Sequence, residues 1–348
     1  MLKHGIMTLL MSIVACALLL FPHISAAAVS NSLQTCAQSI IPALFPFMVV
    51  TDLWITSGGA DYVGRISDKW MRSWFRMPGE AAPALICGAV GGFPMGASTV
   101  SALHTNGKLT KEQSEHLLLF CSNAGPAFIF GVIGETVFQS KAAAMLLWMI
   151  HLIGALLIGL LFRPKQPPSS PIGSKLPIGI SKGCDLVSSV TKAGSDTIRI
   201  CTFIILFSIV VSFIEAFMPT MFKTPLFAPL LFGLIELAGP TAHFRYIPQH
   251  TAFILLSILL AWNGCCVHLQ VRSILAKNGL SMKKYFTGKL LHMLLSLLLS
   301  LVCAPWIAGT GTQTQQASVK IQIAAIAAIL LFILSAKTSY RKKRCFHI

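Results

Sequence analysis

Apolar residues gather along this chain into long runs separated by short polar stretches rich in lysine and arginine. The runs cover residues 6–28, 117–138, 142–162, 198–218, 251–271, 290–306 and 321–336, with a shorter one at 40–55. A helix needs roughly 20 mostly apolar residues to cross the hydrocarbon layer. The pattern therefore predicts an all-α polytopic membrane protein with about eight transmembrane helices. The first run also has the outline of a secretory signal, with Lys3 ahead of it and Ser25, Ala26, Ala27 and Ala28 at its end. It is longer than a typical signal's apolar region, which favours a retained helix.

Composition agrees with lipid as the main solvent. Of the 348 residues, 55% are hydrophobic and 11% charged, against about a quarter charged in soluble domains. The 27 Lys plus Arg against 11 Asp plus Glu give a formal charge of +16, which in a soluble chain points to nucleic acid. Here the basic residues lie between apolar runs and no nucleic-acid-binding motif interleaves them, so the expected partners are membrane lipid and a small-molecule substrate. Cys16, Cys87, Cys121, Cys201, Cys265, Cys266 and Cys303 sit inside apolar stretches and read as small buried hydrophobes. Neither a C-x-x-C pair nor an H-E-x-x-H helix is present, so no metal site is expected. Without a nucleophile–base set the chain does not read as an enzyme.

Charge placement sets the topology. With a cytoplasmic N-terminus and alternating spans, residues 58–80, 104–116, 163–197, 272–289 and the tail after 336 face the cytoplasm. These segments hold most of the Lys and Arg, while Lys141, Lys223, Arg245 and Lys320 fall on the other side. This asymmetry predicts a multi-pass protein of the cell (inner) membrane with both termini cytoplasmic. The alternation closes only if residues 81–103 and 225–240 each enter and leave on one side, as re-entrant hairpins. Gly88, Gly91, Gly92, Pro94 and Gly96 break up the first; Gly233, Glu236, Gly239 and Pro240 mark the second. Lipid cannot satisfy irregular backbone, so such stretches must be buried in protein or line a watery cavity.

The order of elements recurs. From residue 40 there is a span, a basic loop, a hairpin, a span interrupted at Asn123–Pro126, and a plain span. From residue 198 there is a span, a hairpin, a span interrupted at Trp262–Gly264, and a plain span. The hairpins open to opposite sides, which is the inverted-repeat plan of many secondary transporters. The expected organisation is an N-terminal helix (1–30), a first repeat (35–162), a linker (163–197), a second, inverted repeat (198–308), a C-terminal helix (309–336) and a basic tail (337–348).

That plan puts a substrate site where hairpin tips meet breaks. The candidates are Gly92, Pro94, Gly96 and Ser98; Ser122, Asn123 and Gly125; Glu236 and Gly239; and Asn263 and Gly264. Glu236 is the carboxylate deepest in an apolar stretch, and burying it unpaired costs about 2.5–3.5 kcal/mol on insertion scales. It is expected either to serve the solute or a coupling ion, Na+ or H+, or to hydrogen-bond within its hairpin. Asp52, Glu135 and Glu215 fall near span ends and read as interfacial. Asn123 and Asn263 can cap half-helices or contact a solute. No Lys or Arg is expected deep in the membrane, so half-helix N-termini supply the attraction for an anionic group. His151 and His268 read as packed or hydrogen-bonded. No cofactor is expected, and the sequence leaves the oligomeric state open.

Specific blocks carry a resemblance. LFPF at 44–47, GGFPMGA at 91–97, LT at 109–110 with Glu115, and CSNAGPAFIFG at 121–131 lie in the first half; WNGCCVHLQV at 262–271 and Tyr285–Phe286 lie in the second. Over about residues 35–300 the chain resembles the nucleoside-recognition, or Gate, domain membrane proteins, including those of sporulation. It departs from their pattern at Asn263 and at Cys265–Cys266. The resemblance implies a fold similar to concentrative nucleoside transporters and the movement of a small aromatic dicarboxylate, dipicolinate, during endospore formation, at the membrane surrounding the forespore. Nucleoside transport, and a non-transporting structural or assembly role in sporulation, stand as alternatives.

Overall fold

The computed structural model describes residues 2–165 and 185–307. The expected span at 321–336, the basic tail and most of the linker lie outside the described residues. No strand occurs among the described residues, whose regular structure is all helical.

Helix α1 (Leu2–Leu20) and α2 (Pro22–Thr35) meet at Phe21 with a bend of 87°. Residues 6–28 are therefore not one straight span. Pro22 has no N–H to continue α1, but its fixed φ suits the first turn of a new helix. A π-turn (Cys36–Ile40) carries α2 into α3 (Ile41–Thr56). Helix α4 (Gly59–Trp74) buries Ala60, Gly64 and Met71 and exposes Tyr62, Ile66, Trp70 and Trp74 on another face. An apolar stripe with Trp and Tyr beside charged positions suits a helix lying in the membrane interface.

Among the described residues four helices are long and apolar enough to cross a membrane: Lys141–Leu161 (α9), Leu186–Phe217 (α10), Gln249–Asn278 and Lys283–Trp306. The bent α1–α2 pair makes a fifth if it counts as one span. Leu44–Thr56, Gly79–Val90 and Pro126–Phe138 are shorter apolar helices. Between them run α5 (Ala82–Val90), α6 (Met95–Thr105), α7 (Lys111–Leu117) and α8 (Pro126–Phe128), the last continuing as a π-helix to Phe138. Later come α11 (Phe227–Ile235), a 3-10 segment (Pro240–Tyr246), α12 (Gln249–Trp262), α13 (Gly264–Leu275) and α14 (Lys283–Cys303). Helices α5 and α6 pack together, α10 packs on α2 and α3, and α14 packs on α9 and α12. The hairpin expected at 81–103 is thus a helical pair. That at 225–240 has one helical limb, and its return continues as a 3-10 segment to Tyr246.

Asp52, near the end of α3, is largely buried against α10. Its Oδ2 accepts from Ser189 Oγ of α10 at 2.7 Å, and Lys192 Nζ completes the group. A buried carboxylate is retained where it is paired and hydrogen-bonded, so this group fixes α3 against the start of α10.

Two apolar cores meet at a seam. One gathers Phe138, Leu147, Phe244, Phe253 and Leu256; the other gathers Met71, Phe75, Leu117, Phe120, Val271 and Tyr285. Cys121 belongs to the second core and Ala124 to the first, while Cys266 and Val267 divide the same way. Both helix breaks therefore lie where the cores join. Unwound backbone approaches its neighbours there through glycines. A Cβ on Gly88 or Gly96 would stand 1.7 or 2.0 Å from the Cys121 carbonyl oxygen, and one on Gly288 would stand 2.0 Å from that of Leu119. No side chain fits at those distances, so α5, α6 and α14 clasp the irregular segment between them.

This packing makes a prediction. Gly88→Val forces the hairpin off the Cys121 carbonyl and should destabilise by more than the usual 1–3 kcal/mol or so of overpacking. Gly131→Val, where a new Cβ meets nothing within 4 Å, should cost little. Thermal unfolding in detergent measures both; equal midpoints would contradict the clasp.

Candidate functional site

The first break begins where α7 ends and helix resumes only at Pro126. Proline disfavours the helical conformation in the residue before it and fits the first helical position itself, so Gly125 is extended, with ψ 155°. The freed groups find partners: Asn123 Nδ2 donates to Phe120 O at 3.0 Å, and Ala124 N donates to His151 Nε2 at 2.9 Å. The second break is sharper. Asn263 and Gly264 have φ of 77° and 78°, a left-handed region open to glycine and tolerated by asparagine. Trp262 Nε1 donates to Leu234 O at 3.1 Å, tying this break to the second hairpin.

Each hairpin tip lies on a break in its own half. Gly92, at φ 78°, leaves so little room that a Cβ would stand 2.6 Å from Gly125 N. Gly264 packs on the second tip, where a Cβ would meet Ile235 O at 3.3 Å. In that tip Glu236 is extended and buried, its Oε1 accepting from Ala238 N at 2.6 Å and its Oε2 from Gly239 N at 2.8 Å. The intra-hairpin hydrogen bond expected as one alternative for Glu236 is present.

The breaks also meet each other, through a residue that the charge pattern placed in a loop. Lys289 is 0% exposed, which corrects the expectation of no deep Lys or Arg. Its Nζ donates to Ser122 O of the first break. Asn263 of the second break accepts from it at 3.1 Å and donates to Leu260 O at 2.6 Å. This amide orientation is assigned from the network, because the opposite one faces oxygen with oxygen. The Tyr285 ring lies 5.9 Å from Nζ. Histidines surround the group: the His151 and His292 rings are 4.5 Å apart, His292 Nε2 meets His151 O at 2.9 Å, and His268 Nδ1 meets Tyr285 OH at 2.9 Å. His151 and His268 are packed and hydrogen-bonded, as expected.

Lys289 did leave a trace in the sequence. Lys289, His292, Ser296 and Ser300 recur three or four residues apart and are all buried, a polar stripe along one face of α14. A loop reading, guided by neighbouring Lys283 and Lys284, hides that period.

A cavity of about 50 Å³ opens between the tips and breaks, bordered by Gly91–Phe93, Gly125, Glu236–Ala238, Cys266 and Gln270 and closed by Ile200 and Ile204 of α10. A water molecule needs roughly 10–15 Å³ measured this way, so a few fit. Gly92, Gly125 and Glu236 of the candidate set line it. Pro94 and Ser98 line neighbouring space beside Asp196, and Gly239 borders a further cavity on the other side of Glu236. Ser122, Asn123, Asn263, Gly96 and Gly264 do not line the central cavity; they build the seam behind it. Gln270 and Ser39 line it and were not among the candidates.

Residues 37–163 match the family model described as Gate: nucleoside recognition. Over 311 residues the chain is 27% identical to the sporulation integral membrane protein YlbJ of Bacillus subtilis (strain 168), covering 78% of this chain and 75% of that protein. No solved structure is significantly similar. The apolar spans make the chain a membrane protein, and it is similar to the Gate model over residues 37–163 and to YlbJ over most of its length.

Proposed function

We propose that this protein is a transporter of a small solute, built from two inverted repeats, with its site in the cavity where the hairpin tips meet. The supporting observation is that convergence: two tips and residues of two interrupted helices border one buried cavity, with one carboxylate among them. Broken elements meeting in the membrane are the arrangement expected around a transporter's substrate. Two helices begin beside the cavity, α6 after Pro94 and α8 after Gly125, and helix N-termini favour an anionic group. Glu236 opposes a bare anion, so a coupling H+ or Na+ at Glu236 belongs to the same reading. The solute class is an organic anion, with dipicolinate in endospore formation as the member implied by the family resemblance. The lysine- and arginine-rich segments face the cytoplasm in this reading, with both termini on that side.

The test is flux of labelled dipicolinate into proteoliposomes holding the pure protein, with a nucleoside as competitor. Uptake is expected, and Glu236→Gln should lower it at least about tenfold, or 1.4 kcal/mol, at unchanged protein content. Uptake displaced by the nucleoside shifts the substrate to nucleosides. No flux of either solute overturns transport and leaves a structural or assembly role in sporulation.

A further inference from the structure

The central cavity is one of several strung along a single helix. Toward the start of α10 it shares Ile200 and Gln270 with a neck of about 10 Å³. The neck shares Met48, Met95, Ser98 and Asp196 with a mouth of about 130 Å³ beside the Asp52–Lys192 pair. Toward the end of α10 the central cavity shares Ile204 and Glu236 with a second mouth of about 210 Å³, edged by Ser208, Ser212 and Glu215.

The α10 residues involved follow one period. Lys192, Asp196, Ile200, Ile204, Ser208, Ser212 and Glu215 are three or four apart, so each neighbours the next and together they form a stripe that winds slowly around the helix, by about 40° at each step of four. From Lys192 to Glu215 that stripe spans roughly 35 Å at 1.5 Å per residue, slightly more than the roughly 30 Å hydrocarbon layer. It is charged at both ends, hydroxyl-bearing toward the second mouth and apolar where it faces the hairpin tips across the central cavity. Across the helix from the stripe at each level, Ile198, Leu206 and Val210 are apolar and exposed, as a lipid-facing surface should be. Glu236 stands between the central cavity and the second mouth, with its carboxylate held by its own hairpin. Gln270, whose buried Oε1 has no hydrogen-bond partner, stands between the central cavity and the neck.

We infer that this stripe of α10 is the wall of a membrane-crossing route, closed here at the neck, with Gln270 and Glu236 flanking the central cavity. The route rests on the transport reading for its purpose, while its geometry is tested without any solute.

A membrane-impermeant thiol reagent applied to vesicles of each orientation, with labelled peptides located by mass spectrometry, reads the route directly. Ala193→Cys, in the first mouth, should label from one side only. Ser208→Cys and Ser212→Cys, in the second mouth, should label only from the other, and Leu206→Cys, on the outer face, from neither. Serine-to-cysteine changes are close to isosteric, and elution as a single species from size-exclusion chromatography confirms folding. The inference is overturned if both serine positions stay at the Leu206→Cys level, or if they label from the same side as Ala193→Cys. Side-specific labelling without flux of any tested solute would overturn the transport reading and leave the route standing.

Discussion

The interior is organised around one buried lysine. Lys289 has no exposed surface, and a polar head taken out of water is tolerated only with partners that hydrogen-bond to it. A continuous helix offers few free carbonyls, because each is already used four residues along. Unwinding at residues 118–125 releases the Ser122 carbonyl, and the turn at Asn263 supplies an amide oxygen. The two breaks must therefore lie on either side of one side chain. Lys289 belongs to α14, so this contact also fixes a helix of the second half against the interrupted segment of the first. Gly288, the residue before it, lets α14 approach the Leu119 carbonyl closely enough for Lys289 to reach.

From that contact the rest follows in order. Cys121 lies between Gly88 and Gly96, so the α5–α6 hairpin is clasped to the first break, and its tip at Gly92 meets Gly125. The Trp262 hydrogen bond and Gly264 bring the second hairpin to the second break. The tips then border a common cavity, and α10 closes it with Ile200 and Ile204. Polar groups are divided between two jobs: Ser122, Asn123, Asn263 and Lys289 hold the scaffold, while Glu236, Gln270 and Ser39 border open space. In the proposed transporter this separates the hinge of the structure from the surface that meets solute.

Much of this was legible in the sequence, and the exceptions have physical causes. The interruptions at Gly91–Pro94, Asn123–Pro126 and Asn263–Gly264 were readable because glycine, proline and asparagine constrain the backbone locally, whatever packs around them. Glu236 stood out because an acid in an apolar run is costly there. Lys289 was misplaced because charge counting assigns it to water, whereas its burial depends on a partner more than a hundred residues away, Ser122. The bend at Phe21–Pro22 was missed because hydropathy is blind to direction, although Pro22 itself carries the signal. Gln270 sits on α13 among buried neighbours, and nothing in its local pattern distinguishes a cavity-facing amide from a packed one.

A double-mutant cycle on Lys289 and Asn263 tests most directly whether one lysine side chain joins the two breaks. Lys289→Met and Asn263→Leu, singly and together, are compared by thermal or denaturant unfolding of the purified protein in detergent. Either single change leaves a buried polar group without its partner, at a cost of about 1–3 kcal/mol. The double variant should be less destabilised than the sum of the two, by a coupling of about 0.5–3 kcal/mol. Strict additivity would show that Lys289 and Asn263 act independently and would contradict the account.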